Sequence, residues 1–170
     1  ILFRTNEQPR AFETELRKAK LPYILLGSMS FFDRKEVKDI LSYLRVLDTP
    51  QDEVSLLRII NTPPRGIGDK TVEVLMKGAV SRGKPIWDAM ISPEGVQIPP
   101  NGVDGVRKLI ALIERYRADI KAGKPLADLL RRLVADIAFE AELKRLYPDP
   151  NEQQTRWAAV EEVVNALAAY

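Results

Sequence analysis

Apolar residues recur at helical spacing along most of this chain. Phe12, Leu16 and Ala19 share one face over residues 7–20, and Val37, Ile40, Leu41 and Leu44 form a stripe after Asp33, a plausible N-cap. Val54, Leu56, Leu57, Ile59 and Ile60 make a further run, followed by Val72, Val74, Leu75 and Met76 in a helix that reaches about Arg82. A short helix around Trp87 comes next. Residues 106–121 carry Val106, Leu109, Ile110, Ile113 and Tyr116 on one face; residues 126–146 read as helix in two pieces; residues 152–170 carry Trp157, Val160, Val163, Val164 and Leu167. Two runs break the helical period. Residues 1–5 and 21–27 are short, apolar and bounded, and predict buried strands around the first helix, a βαβ unit with a parallel pair. Residues 92–105 hold three prolines and three glycines and read as a linker. The pattern therefore predicts a mainly α chain with a small parallel β element near its N-terminus, divided into residues 1–95 and 96–170.

Between the two central helical runs lies Asn61-Thr62-Pro63-Pro64-Arg65-Gly66-Ile67-Gly68-Asp69-Lys70-Thr71. The prolines stop the first helix, since proline lacks an N–H and restricts the residue before it. Glycine allows a tight turn and close backbone approach. Asp69 or Thr71 can cap the next helix. One reading is an αα-hairpin whose glycines only permit a close turn. The other is an anion site, with N–H groups at a helix N-terminus flanked by Arg65 and Lys70.

Composition removes several chemistries. There is no cysteine and no histidine, so disulfides, Cys or His metal sites and His-based acid–base catalysis are excluded. No Asp-rich loop suggests a carboxylate metal site. The absence of cysteine fits a reducing cytoplasm, and no apolar run approaches a membrane span. Net charge is only +2, so nucleic-acid binding would have to come from local basic patches. The chain opens on Ile-Leu-Phe-Arg-Thr without an initiator Met, which suggests a piece of a longer protein.

The 61–71 stretch resembles the helix-hairpin-helix of DNA-binding proteins, with Ile67 as the plug between helices and Arg65, Gly66, Gly68, Lys70 and Thr71 at the backbone phosphates. Three stretches in order resemble the Rep/UvrD/PcrA family of superfamily 1 DNA helicases: Ile1-Leu2-Phe3-Arg4-Thr5-Asn6-Glu7-Gln8-Pro9-Arg10, its motif IV; Gly27-Ser28-Met29-Ser30-Phe31-Phe32-Asp33-Arg34-Lys35-Glu36-Val37-Lys38-Asp39; and Asn61 through Gly68. A weaker likeness runs from Gln154-Thr155-Arg156-Trp157 to Glu161-Glu162. The resemblance implies part of the second RecA-like α/β motor domain (residues 1–95) with part of an inserted helical accessory subdomain (residues 96–170). It implies Arg4 at the γ-phosphate of ATP, in an arginine-finger role, and Phe3 stacked on the base. The family usually has Tyr at the Phe3 position, and Pro9 replaces a small polar residue. The resemblance further implies ATP and Mg²⁺ in the full-length protein, 3′ to 5′ unwinding, and single-stranded and duplex-junction DNA as partners, with repair or replication proteins. It implies a cytoplasmic, nucleoid-associated location. No Gly-rich Lys-Ser/Thr phosphate loop is present, so this piece alone is expected to bind no nucleotide and hydrolyse none.

Two other readings stand beside it. Lys70 after the Gly-x-Gly turn, with Asp88 further on, resembles the helix-hairpin-helix DNA glycosylase/lyases, in which a Lys forms a Schiff base with an abasic sugar. The helical half could instead be a non-catalytic module that binds DNA or docks a protein partner.

Overall fold

The fold is built on one helix with a polar stripe inside the core. In the computed structural model, which describes residues 8–23, 30–93 and 95–168, this helix is α2, Lys35–Asp48. Val37, Ile40, Tyr43 and Val46 are completely buried along it. Glu36, Asp39 and Tyr43 follow one another at spacings of three and four, which places them on one side of a helix. Each meets an arginine from a different segment. Arg156 donates to Glu36 at 2.7 Å, Arg58 to Asp39 at 2.7 Å, and Arg65 to the Tyr43 hydroxyl. Burial pushes the Asp39 carboxyl above its ordinary range, against the opposing pull of Arg58 and Lys35.

Three helices pack directly on α2, and others pack on those. A 3-10 turn at Phe31–Asp33 leads into it. After it come α3 (Glu53–Ile59), α4 (Asp69–Arg82), α5 (Ile86–Ile91), α6 (Pro100–Lys121), α7 (Leu126–Asp136), α8 (Phe139–Leu146) and α9 (Pro150–Ala168). α2 packs on α3, α6 and α9, while α4 packs on α5, and α7 and α8 on α9. The apolar core runs without a break from Phe31 to Val164, across the 92–105 stretch at which the sequence suggests a division. The preceding helix, α1 (Pro9–Lys18), is tied on by polar groups. Glu13, buried, accepts from the Ser30 hydroxyl and from Tyr23 Oη at 3.1 Å, and the Arg17 guanidinium sits 4.1 Å over the Phe32 ring.

Several expectations change. Among the described residues there is no strand. Residues 1–5, and 24–27 of the second expected strand, lie outside the described residues, and Leu21 to Tyr23 have no regular structure. The described residues form a mainly helical array. Asp33 is not the N-cap of α2; Arg34 holds that place, and Asp33 pairs with Lys38 at 2.9 Å. α3 is capped by an acid, with Asp52 accepting from the Ser55 N–H at 3.1 Å and from its hydroxyl at 2.7 Å. Phe12 is exposed, and α4 buries Thr71, Leu75 and Ala79, leaving Met76 and Val80 facing outward. α6 begins at Pro100, inside the expected linker. Proline suits a first helical turn, whose N–H has no intrahelical acceptor.

Candidate nucleic-acid interface

The 60–68 connection between α3 and α4 folds around one side chain. Asn61 Oδ1 accepts from the Arg65 N–H at 2.8 Å and from the Ile67 N–H at 3.3 Å. A carboxamide oxygen in a loop stands in for a backbone carbonyl in this way. The Thr62–Pro63 peptide is cis. Gly66 then takes φ +81°, a left-handed conformation that a side chain would strain. Ile67 points inward, is 1% exposed and belongs to the apolar core. Gly66 and Gly68 remain at the surface.

Gly68 is the N-cap of α4, with no side-chain cap bond, so neither Asp69 nor Thr71 caps it. The N–H groups of Gly68, Asp69 and Lys70 find no acceptor among the described residues, as expected of donors at the start of a helix. Lys70 is exposed beside them. Asp69 puts a carboxylate in the same turn; it suits the helix dipole but opposes a bound anion, and Lys70 offsets it.

Two of the residues assigned to phosphate by sequence face elsewhere. Thr71 is 3% exposed and its side chain packs against Gly102; its hydroxyl belongs to the α4–α6 contact. Arg65 turns inward. Its Nη1 donates to the Ile59 carbonyl at 3.0 Å, and its Nη2 to the Thr62 carbonyl at 3.3 Å and to Tyr43 Oη. The guanidinium thus closes the C-terminal end of α3, where carbonyls lack helical partners and the dipole favours a cation. Tyr43 Oη in turn donates to the Thr62 carbonyl at 2.6 Å. Burial holds this hydroxyl above the usual tyrosine range despite the neighbouring guanidinium, which keeps it a neutral donor.

Residues that the sequence reading passed over support the turn. α6 lies behind it and presents Gly102 and Gly105, three apart and so on one face. A Cβ on Gly105 would overlap the Arg65 carbonyl oxygen and press on Ile67 Cγ1 at 2.9 Å. The signal was the Gly-x-x-Gly spacing, masked by adjacent prolines. Gly105→Ala should therefore destabilise the chain by about 1–3 kcal/mol, through overpacking that outweighs alanine's better helix propensity. Urea denaturation would measure it, and a variant as stable as the parent would show that the turn yields freely.

Phe3 and Arg4 lie outside the described residues. Lys70 is exposed and lacks the desolvation that activates a Schiff-base lysine, and Asp88 lies on α5, half-buried. The described helices include none long and apolar enough to cross a membrane.

Comparison with known proteins bears on this geometry. The family model described as UvrD-like helicase C-terminal domain matches residues 1–93. ATP-dependent DNA helicase UvrD1 of Mycobacterium tuberculosis (strain ATCC 25618 / H37Rv) is 34% identical over 89% of this chain and 20% of its own length. DNA helicase II of Escherichia coli (strain K12) is 33% identical over 100% of the chain and 23% of its own length. ATP-dependent DNA helicase PcrA of Staphylococcus epidermidis (strain ATCC 12228 / FDA PCI 1200) is 47% identical over 53% of the chain and 12% of its own length. The chain thus spans less than a quarter of each of these relatives.

Proposed function

Since this chain belongs to the UvrD-like helicase family, whose C-terminal domain residues 1–93 match, we propose that it is the DNA-gripping part of an ATP-dependent DNA helicase. The observation that carries this reading is the Gly66–Gly68 turn. It exposes two glycines, the free N–H groups at the start of α4, and Lys70 at one point of the surface. Such a point suits a backbone phosphate, because N–H donors and a cation meet the anion while the glycines let the strand come close. Contacts of this kind position DNA without reading its bases. Ile67 fixes the turn from below.

In the full-length protein, Arg4 would reach the γ-phosphate of ATP and Phe3 would stack on the base. Mg²⁺ and the phosphate loop would come from elsewhere in that protein. The chain alone should bind DNA without turning over ATP. Movement from 3′ to 5′, a role in repair or replication, and the division into residues 1–95 and 96–170 belong to the same proposal.

Fluorescence anisotropy with a duplex carrying a single-stranded tail tests the turn. Binding should be weak and salt-sensitive. Lys70→Ala should weaken it alike on unrelated sequences, and should lower the slope of log affinity against log salt by roughly 0.7–0.9. Affinity and slope equal to those of the parent would remove the turn from the DNA surface.

A further inference from the structure

Arg65 lies at the proposed phosphate site with its charge directed away from it. We infer that Tyr43 and Arg65 are positioning residues, which hold the Gly66–Gly68 turn in the shape that grips phosphate. The inference rests on the phosphate reading above and goes beyond it by assigning the support of the turn to a residue of α2.

The geometry supports this in three ways. Arg65 donates to Ile59 at the end of α3, to Thr62 inside the connection and to Tyr43 on α2. One guanidinium thereby joins three segments, and its planar fork matches that use better than an ammonium would. Tyr43 is fully buried and its hydroxyl sits at the joint, accepting from Arg65 and donating to Thr62. Without that oxygen the Thr62 carbonyl loses its 2.6 Å bond and the guanidinium loses one of its anchors. The backbone of Arg65 is itself part of the turn, since its N–H is held by Asn61 and its carbonyl lies against Gly105. Releasing the side chain therefore loosens the backbone next to Gly66.

A phosphate-contacting arginine and a positioning arginine make opposite predictions. A contact depends on charge, so Arg65→Lys would keep most of the binding and Tyr43→Phe would leave it unchanged. A positioning residue depends on the fork and the hydroxyl. Tyr43→Phe, which removes no charge, should then weaken DNA binding by roughly tenfold, the scale of a hydrogen bond to a charged group. Arg65→Lys should fall with it, and the combined variant should be little weaker than Arg65→Lys, because the two residues act as a unit. The salt slope should stay at the parent value in all three.

The experiment is anisotropy on the 170-residue chain with the same tailed duplex, each variant held well below its own melting temperature. Amide hydrogen exchange at Ile67 is read in parallel, and faster exchange is expected in the variants. If Tyr43→Phe does not fold, Arg65→Lys decides alone. Parental affinity in Arg65→Lys or Tyr43→Phe would overturn the positioning role and leave the turn as a DNA contact. A parent chain that binds no DNA, or a Lys70→Ala variant with unchanged affinity and slope, would instead overturn the phosphate reading and the inference with it.

Discussion

Arg156→Ala should lower the melting temperature by about 10 °C, the equivalent of roughly 3–5 kcal/mol for a domain of this size. Arg156 Nη1 donates to Glu36 at 2.7 Å, and Glu36 is 2% exposed. The same guanidinium lies 3.7 Å over the Tyr147 ring and donates to Glu152 at 2.7 Å. The Glu152 half of this arrangement counts for little, because that carboxylate is 43% exposed and solvent screens it. The Glu36 half decides the outcome. Truncating the arginine leaves a carboxylate in the core between α2 and α9 without its ion-pair partner, and the desolvation penalty is then uncompensated. A paired replacement, Glu36→Gln with Arg156→Met, should recover much of the loss, because it removes both charges together. Differential scanning calorimetry separates the cases. A single variant melting within 2 °C of the parent would mean that water reaches Glu36.

In the longer protein, Arg4→Ala should reduce ATP turnover by about 10³-fold or more, the range reported for arginine fingers, with much less change in ATP affinity. The reason is chemical. Charge spreads over the γ-phosphoryl oxygens as the bond to the leaving group breaks, and a guanidinium that meets those oxygens acts mainly on the transition state. Loss of such a group lowers kcat and kcat/KM together. Arg4→Lys should recover part of the rate, since charge remains but the fork is lost. Steady-state ATPase assays with saturating DNA would measure both. Unchanged turnover in Arg4→Ala would take the residue out of the ATP site.

The long helices were legible because their apolar positions repeat at the helical period. Val37 and Ile40 in α2, Leu109, Ile113 and Tyr116 in α6, and Val160, Val163 and Val164 in α9 are all buried. The break in 126–146 was legible too, and falls at Ala138, whose φ is +53°. The start of α6 was not, because Pro99-Pro100-Asn101-Gly102 has the composition of a linker. In the fold Gly102 is where α6 meets α4 and Gly105 where it meets the α3–α4 connection, a tertiary fact that composition does not carry. In α4 the apolar residues of the sequence split between inside and outside, and Thr71 took a core place. At the candidate site the Gly-Ile-Gly turn was readable from local chemistry, and the inward place of Ile67 from the resemblance to the helix-hairpin-helix. The direction of Arg65 was not. A cation in a loop is ordinarily solvated, and its turn toward α3 and Tyr43 depends on a helix that ends six residues before the arginine and on a partner 22 residues away.

The polar stripe on α2 also limits how this chain can change in length. An added residue turns everything beyond it by about 100° around the helix axis. Inserted between Glu36 and Asp39, one extra amino acid would swing Asp39 and Tyr43 away from Arg58 and Arg65 while Glu36 stayed with Arg156. Compensating point changes could not easily restore three matings that come from three separate stretches. Relatives should therefore keep α2 in register, and gain or lose residues in surface connections such as the one between α8 and α9.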